Sequence, residues 1–223
     1  MIRRYRHGDL RGLTDAEVGD KLLRAAEVLF AYRAAHQYPL SKANMGLRSM
    51  VTTERCRVEV SQRLKRAPTI LAKLDLHPTM RLSAMQDIGG CRAVLTSIDE
   101  IRRVERRLRR NRPPVGYDDY ITTPKSSGYR GVHVIVEYDG RLIEIQLRTT
   151  VMHEWAITVE RLSGRIGSDL KSGRGPAEVL DLMEAISEAM ATEEYGAVVP
   201  QVQVDRIKSL RKLANPYLTG GST

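Results

Sequence analysis

The strongest structural signal in the sequence is an Asp139-Gly140 pair that lies between two runs of alternating apolar residues. Such a pair supplies the left-handed backbone that a tight two-residue turn requires. The pattern therefore predicts antiparallel strands over residues 131–138 and 141–148. Because side chains alternate along a strand, Glu144, Gln146 and Arg148 share one face of the second strand. A solvated sheet surface is the ordinary explanation of such alternation.

The loop before this hairpin, residues 124–131 with the sequence PKSSGYRG, favours a ligand site instead. It combines glycines and hydroxyl groups with two cations, Lys125 and Arg130, and one aromatic residue, Tyr129. Lysine and arginine bind phosphates, glycine lets a backbone approach a ligand, and tyrosine stacks on a flat ring. We interpret the loop and the polar strand face together as a nucleotide site.

Composition narrows the classes of partner and compartment. The net charge of +9 and the pI of about 9.8 favour a nucleic acid, a nucleotide or an acidic protein as partner, with plain solubility as the alternative. Cys56 and Cys91, the only cysteines, make neither a disulfide scaffold nor a cysteine-rich zinc site. The first residues lack the apolar stretch of a signal peptide, and no apolar run reaches membrane-spanning length. We therefore expect a cytoplasmic protein with no membrane partner.

Helical periodicity and capping signals divide the rest of the chain. A Thr14-x-x-Glu17 capping box opens a helix that runs to about residue 35, and further helices are predicted over 41–54, 68–76, 151–162 and 177–194. Residues 1–13 are expected to be basic and irregular, 164–175 a mobile loop and candidate lid, and 214–223 a frayed end. Trp155 is expected to be a packing anchor. The predicted parts are an N-terminal helical segment (1–55), a core (56–165) and a C-terminal loop with helices (166–223).

Residues 97–110 form a predicted helix with an unusual charge distribution. Ile101, Val104 and Leu108 face inward, whereas the other face carries Arg102, Arg103, Arg106, Arg107, Arg109 and Arg110. A charge run is usually a solvated face, but density of one sign also suits a phosphate backbone or an acidic protein. All six arginines are therefore candidate nucleic-acid contacts.

Two carboxylates stand near glycines at predicted strand edges, among several cations. Asp87 precedes Gly89-Gly90 and is a candidate metal ligand or a turn cap; Glu144 lies in the hairpin. Arg63 and Lys65 share a face of an extended backbone, either as surface cations or as a triphosphate clamp. Such a set suits phosphoryl transfer, in which cations neutralise phosphate oxygens and carboxylates hold Mg²⁺. No P-loop or kinase-type loop is present, so the residues alone indicate a nucleotide phosphoryl- or pyrophosphoryl-transferase.

The ordered motifs resemble those of the RelA/SpoT synthetase family. They comprise residues 63–65 with Thr69 and Lys73, residues 87–92 (DIGGCR), residues 119–133 and residues 144–149 (EIQLRT), with Met152 and Trp155-Ala156 after them. The resemblance covers roughly residues 60–160. It implies an α/β (α+β) fold with a mixed central β-sheet and flanking helices, similar to nucleotidyltransferases. It also implies transfer of the β,γ-pyrophosphate of ATP to a 3′-hydroxyl, with release of AMP.

The same resemblance implies roles for individual residues. Asp87 and Glu144 would be catalytic and hold Mg²⁺, with Glu144 alternatively a general base. ATP would be bound by Arg63, Lys65, Thr69 and Arg92. The acceptor would be bound by Lys125, Tyr129, Arg130, His133, Gln146 and Arg148, with its base stacked on Tyr129.

Departures from the family pattern bear on the acceptor. Ser127 and Gly131 stand where alarmone-making members often have Asn and Ser, and Val159-Glu160-Arg161 replaces a Glu-His pair. Together with the arginine helix, these changes favour the branch that resembles toxins acting on the 3′-CCA end of tRNA, which pair with an antitoxin in toxin–antitoxin or phage-defence systems. Synthesis of alarmones from GDP, GTP or adenosine nucleotides is the alternative. A non-catalytic RNA- or partner-binding module is the third reading.

Overall fold

A computed structural model describes residues 13–219 of the chain. Its helices are α1 (Asp15–Ala34), α2 (Gln37–Thr53), α3 (Ala67–Leu76), α4 (Ile98–Asn111), α5 (Thr150–Ile166), α6 (Ala177–Glu194) and α7 (Gln201–Leu218). Its strands are β1 (Glu59–Leu64), β2 (Gly89–Leu95), β3 (Gly116–Asp119), β4 (Val132–Tyr138) and β5 (Arg141–Thr149). Short 3₁₀ turns occur at Leu82–Ala84 and Leu170–Ser172.

The strands form one mixed sheet in the order β1-β2-β5-β4-β3, which confirms the predicted fold class. Only β2 and β5 pair in parallel; the other neighbours are antiparallel. The predicted hairpin is β4–β5, and its turn residues Asp139 and Gly140 have φ values of 50° and 71°. The left-handed conformation that this turn needs is therefore present at both positions.

The two faces of the sheet have different chemistry. Ile143, Ile145 and Leu147 of β5 are fully buried on one face, where α2 and α4 cover the strands. Ile101, Val104 and Leu108 of α4 reach the same core, as the sequence predicts. The alternate residues of β2 and β5, among them Arg92, Glu144 and Gln146, consequently point to the opposite face.

A second apolar cluster joins α5, α6 and α7 to the loop that precedes β4. Trp155 is 4% exposed and donates a hydrogen bond from Nε1 to the Met183 carbonyl at 3.0 Å, so it is a packing anchor as predicted. Gly128 has a φ of 83°, and a Cβ there would lie 3.0 Å from the Glu184 Cα. Glycine therefore allows this loop to lie directly against α6.

Three predicted segments differ from the structure. Helix α2 begins at Gln37 rather than at residue 41, with Pro39 in its first turn. Segment 164–175 is not one irregular loop, because α5 extends to Ile166 and a 3₁₀ turn follows. Helix α7 continues through Pro216 to Leu218, because buried Ala214 packs in the second cluster and outweighs the proline. The predicted irregular residues 1–12 and the end 220–223 lie outside the described residues.

Between residues 13 and 219, every helix is too short or too polar to cross a membrane.

Candidate active site

A cleft of about 640 Å³ opens on the polar face of the sheet. It contains most of the residues that the sequence predicts for the site, namely Arg63, Lys65, Thr69, Asp87, Lys125, Tyr129, His133, Glu144 and Gln146. Arg92 lines an adjoining pocket of about 50 Å³, whose wall also includes Arg63, Asp87 and Glu144. The polar face of β5 is thus part of a cleft rather than a plain solvated surface.

Strand register explains why distant residues meet here. Gly90 of β2 lies opposite Arg63 of β1 on one side and opposite Glu144 of β5 on the other. Because Gly90 has no side chain, the space between the cation and the carboxylate stays open. Asp87 reaches the same space from the turn that enters β2.

Asp87 is arranged as an ionised carboxylate with one oxygen available. Its Oδ2 lies 2.7 Å from the Nζ of Lys65 and 2.9 Å from the Nζ of Lys73. Burial opposes ionisation, but the two ammonium groups hold the pKa of Asp87 below its usual value. Its Oδ1 is buried without a hydrogen-bond partner among the described residues.

This donor set fits Mg²⁺. The ion prefers oxygen ligands and is commonly bound by one or two carboxylates together with substrate phosphates. The described residues contain no cluster of three or more candidate metal ligands, so Asp87 and Glu144 need further oxygens from a substrate. The orphaned Oδ1 of Asp87 is a buried acceptor that such an ion would satisfy.

Glu144 belongs to a closed ring of hydrogen-bonded side chains. His133 Nδ1 lies 2.9 Å from Glu144 Oε1, and Gln146 Nε2 donates to Glu144 Oε2 at 2.6 Å. Arg148 Nη2 donates to Gln146 Oε1 at 2.8 Å, and its Nε donates to Tyr129 Oη at 3.1 Å. Tyr129 Oη lies 2.5 Å from His133 Nε2, which closes the ring.

A neutral His133 with its proton on Nδ1 satisfies every member of this ring. Its Nδ1 then donates to Glu144, and its Nε2 accepts from the Tyr129 hydroxyl. Burial raises the pKa of Glu144, but His133 and Gln146 more than offset this and leave it below the usual value. Glu144 is therefore ionised and fixed in position.

Cations without carboxylate partners gather beside these two acids. No ion pair joins Arg63 or Arg92 to an acidic residue within residues 13–219, and Arg92 Nε is buried without a partner. Burial, together with the positive charges of Arg148 and Arg63, lowers the pKa of Arg92. Such crowding of positive charge is unfavourable alone and suits a bound polyphosphate.

Two residues predicted to bind the acceptor, Arg130 and Arg148, do not line the cleft. Arg130 points away from the cleft, because its Nη2 donates to the Ile121 carbonyl at 3.1 Å and helps hold the loop. Arg148 is 1% exposed and lies under Tyr129, so it supports the site from below. Tyr129 lines the cleft, but its ring is covered in this structure by Lys125, Lys171 and Arg148.

Four of the six arginines of α4 are bound within the fold. Arg102 pairs with Asp119 and Glu105, Arg109 with Glu105, and Arg107 with Glu54. Arg103 contacts the Glu54 carbonyl and the sulfur of Cys56. Arg106 and Arg110 stay exposed, and with Arg109 they form a surface patch on the helix that covers the apolar face of the sheet. Of the six predicted nucleic-acid contacts, only Arg106, Arg109 and Arg110 therefore form an exposed patch. This patch lies on the opposite side of the sheet from the cleft.

Among the cleft residues without a predicted role are Lys73, Tyr120 and Lys171. Lys73 lies four residues after Thr69 on α3, and that helical spacing alone places both on one face. Tyr120 follows β3 and carries Lys125 over its ring at 4.4 Å. Lys171 comes from the 3₁₀ turn after α5, inside the segment 164–175 that the sequence suggests as a lid, but no residue of that segment was predicted to contact a ligand.

The fold and the cleft define a transferase that acts on phosphorylated nucleotides. Residues 62–161 match the family described as the region found in RelA / SpoT proteins. GTP pyrophosphokinase YjbM of Bacillus subtilis is 32% identical over 167 residues, which are 69% of this chain and 77% of that protein. The chain belongs to the RelA/SpoT family, and its enzyme class is that of a pyrophosphotransferase.

Solved structures agree with this assignment. Small alarmone synthetase 1 of Bacillus subtilis, bound to its product pppGpp, is 25% identical with a TM-score of 0.63, over 76% of this chain and 94% of that one. A GTP pyrophosphokinase family protein from Streptococcus pneumoniae is 27% identical with a TM-score of 0.60, over 84% of this chain and 97% of that one.

Proposed function

We propose that this enzyme transfers the β,γ-pyrophosphate of ATP to the 3′-hydroxyl of a guanosine nucleotide and releases AMP. The observation that carries the proposal is the arrangement around Gly90. There Arg63 and Arg92 form no ion pair within residues 13–219, and two ionised carboxylates, Asp87 and Glu144, face the same cleft. A polyphosphate and a divalent cation satisfy both sets of charges together.

ATP is assigned to the end of the cleft formed by β1, β2 and α3. Arg63 and Arg92 bind its phosphates, and Thr69 contacts the nucleotide from α3. Lys65 has a different part, because its ammonium group pairs with Asp87 at 2.7 Å and keeps that carboxylate ionised. Mg²⁺, when held by Asp87 and Glu144, supplies neutralisation of the charge on the transferred phosphates.

Glu144 orients the 3′-hydroxyl of the acceptor. Its two oxygens are already engaged by His133 and Gln146, and this fixed geometry favours orientation of the hydroxyl and metal binding. His133 and Gln146 fix both of its oxygens, so the carboxylate does not need to reorganise when the acceptor binds.

A guanosine nucleotide is the acceptor that the comparisons favour. Two of the proteins described above are named as GTP pyrophosphokinases, and a third was solved with pppGpp. Lys125 and Tyr129 form the acceptor end of the cleft, opposite the ATP end. Within residues 13–219, this cleft and the Arg106 patch lie on opposite faces of the sheet.

The 3′-CCA end of tRNA is a second candidate acceptor. It would make the enzyme a translation-blocking toxin with a neutralising antitoxin. The exposed Arg106, Arg109 and Arg110 and the net charge of +9 favour it, since they suit a polyanion. Its difficulty is geometric, because the patch and the cleft lie on opposite faces of the sheet.

The test uses purified protein, Mg²⁺ and ATP labelled at the γ-phosphate, with GDP, GTP, ATP alone or deacylated tRNA as acceptor. The γ label travels with the pyrophosphate, so the labelled product identifies the acceptor. We expect label in GDP and GTP, and none with Glu144→Gln. Label in intact tRNA but not in tRNA lacking its 3′ end would establish the second candidate and reject the first.

A double variant tests whether the Arg106 patch binds tRNA. Arg106→Glu with Arg110→Glu reverses two exposed charges without breaking an ion pair, since neither residue has a partner among those described. Transfer to GDP should be unchanged. A loss of transfer to tRNA alone would assign the patch to tRNA binding.

A further inference from the structure

The C-terminal part of the chain, residues 166–219 as described, supplies several cleft residues. Among these, Lys171 lies against the Tyr129 ring. Its Nζ is 4.9 Å from the ring centroid, on a 3₁₀ turn that the sequence places far from every recognised motif. Lys125 Nζ also lies over this ring, at 5.6 Å, but it is closer to Tyr120, at 4.4 Å. Lys171 is therefore the lysine most closely associated with Tyr129.

The turn that carries Lys171 is firmly built. Ser127 Oγ donates to the Lys171 carbonyl at 2.9 Å, and this hydrogen bond joins the turn to the loop of residues 124–131. Leu170 is fully buried in the second cluster, and Ser163 Oγ accepts a hydrogen bond from its backbone nitrogen at 3.2 Å. The Asp169 side chain accepts from the Ser172 nitrogen and pairs with Arg174. The backbone of Lys171 is thus held at a defined place rather than on a loose loop, while its side chain is free to move.

The Lys171 ammonium group lacks a carboxylate partner. No ion pair involves it within the described part of the chain, and Tyr129 and Arg148 are its close neighbours. Burial and the charge of Arg148 lower its pKa to about 8. A partly buried cation beside an arginine is unfavourable unless a ligand supplies hydrogen-bond acceptors.

A purine can stack on Tyr129 only if a lysine side chain moves off the ring, because Tyr129 is fully covered here. The displaced ammonium group then lies at the edge of the incoming base. Guanine offers two adjacent acceptors on one edge, N7 and O6, whereas adenine offers N7 beside an amino donor. An ammonium group carries donors only, so it matches the guanine edge and opposes the adenine amino group.

We propose that Lys171 determines the base specificity of the acceptor site by donating hydrogen bonds to N7 and O6 of a guanine stacked on Tyr129. The inference rests on the proposed function and adds the group that selects guanine over adenine. Lys171 is a binding residue in this role, since it contacts the acceptor and not the transferred phosphates.

The experiment compares wild type with Lys171→Met, which keeps the length of the side chain and removes its donors. KM for GDP should rise about 10- to 100-fold, while KM for ATP stays unchanged. Replacing GDP by 7-deaza-GDP should raise KM about 10-fold in wild type and leave the variant unaffected. Lys212→Met, at an exposed position on α7, is the matched control and should match wild type.

A direct binding measurement separates this inference from the proposed reaction. Trp155 is the only tryptophan, and its ring centroid is 6.4 Å from that of Tyr129, so its fluorescence reports acceptor binding without turnover. Wild type should bind GDP about 10-fold or more tightly than ADP, and Lys171→Met should lose this preference. Preferred binding of GDP without transfer would reject the proposed function and keep the role of Lys171.

Other outcomes would overturn the inference. Equal binding of GDP and ADP by wild type, or the same penalty from 7-deaza-GDP in wild type and variant, would show that Lys171 does not read the base. Ser127→Ala gives an independent check if Lys171→Met does not fold. It removes the hydrogen bond to the Lys171 carbonyl and should weaken guanine preference in the same direction by a smaller factor; an unchanged preference would contradict the role of this turn.

Discussion

Asp87 joins Lys65, which directly follows β1, and Lys73 of α3 to the candidate metal position, so its charge affects both binding and geometry. Asp87→Asn keeps the size of the side chain but removes the charge that pairs with Lys65 and Lys73. We expect kcat for pyrophosphate transfer to fall about 10²- to 10³-fold, with a rise in the Mg²⁺ concentration needed for half-maximal rate. A titration of rate against Mg²⁺ measures both quantities.

The control for this change is Asp181→Asn, at an exposed position on α6 that is remote from the cleft. It should leave both kcat and the Mg²⁺ dependence unchanged. If Asp87→Asn retained the wild-type Mg²⁺ dependence, the assignment of Asp87 as a metal ligand would have to be abandoned.

The Tyr129 hydroxyl closes the ring of side chains that fixes Glu144. Tyr129→Phe leaves the aromatic packing against Trp155 but removes the acceptor for Arg148 Nε and the partner of His133 Nε2. Because Arg148 is fully buried, its unpaired donor should cost about 1–3 kcal/mol of the free energy of unfolding. Urea denaturation measures this loss.

Tyr38→Phe provides the comparison, because Tyr38 is 67% exposed. Its change in unfolding free energy should stay within about 0.5 kcal/mol. A Tyr129→Phe protein as stable as wild type would mean that water or another group replaces the hydroxyl, and that the ring is not closed in solution.

At the scale of the element, α4 is a structural helix in which four arginines bind groups on the helix itself and in other parts of the fold. Glu105 is 5% exposed and accepts from Arg102, Arg109 and the Tyr117 hydroxyl. Glu105→Gln leaves these donors beside a neutral amide. The free energy of unfolding should therefore fall by about 1–3 kcal/mol. The loss is smaller than for a fully buried ion pair because both arginines are partly exposed. Arg106→Glu should change the free energy of unfolding by less than about 0.5 kcal/mol. Chemical denaturation of both variants tests whether α4 has one structural side, around Glu105, and one exposed side, around Arg106. Equal losses of unfolding free energy in the two variants would contradict this distinction.

This helix also shows what a single sequence can and cannot predict. The inward positions of Ile101, Val104 and Leu108 follow from helical spacing, and the structure confirms them. The partners of Arg102 and Arg107 do not follow, because Asp119 and Glu54 come from distant segments. Local periodicity contains no information about such long-range contacts.

The candidate site follows the same rule. The strand residues Glu144 and Gln146 were predictable because alternation fixes the face of a strand, and Asp139-Gly140 fixes the register of the hairpin. The loop residue Arg130 was misplaced because no periodicity fixes the direction of a loop side chain. Lys171 was not predicted as a site residue, since its turn is brought to the cleft by long-range contacts, namely the packing of Leu170 in the second cluster and the hydrogen bond from Ser127 to the Lys171 carbonyl.

At the scale of the whole molecule, the sheet divides an uncharged core from a cleft full of charged groups. We therefore expect stability and activity to depend on the same ionised residues on the polar face. Asp87 and Glu144 have pKa values below the usual 3.8 and 4.5, and partly buried His153 has a pKa below 6.5. His36 lies outside this face, but burial lowers its pKa as well. All four groups bind protons more weakly in the folded state than in the unfolded state.

The free energy of unfolding should consequently fall in two stages as the pH is lowered. A histidine with a lowered pKa contributes stability that is complete above pH 6.5 and is lost as the pH falls below that value. The two carboxylates contribute stability that is complete above about pH 5 and is lost below about pH 4. Glu194, whose pKa is raised by burial, acts in the opposite direction but is a single group. Urea denaturation between pH 8 and pH 3 should therefore show a shallow fall in unfolding free energy and then a steeper one, and Asp87→Asn should reduce the steeper part. A flat profile, or an unchanged steep part in the variant, would show that the polar face does not couple ionisation to folding.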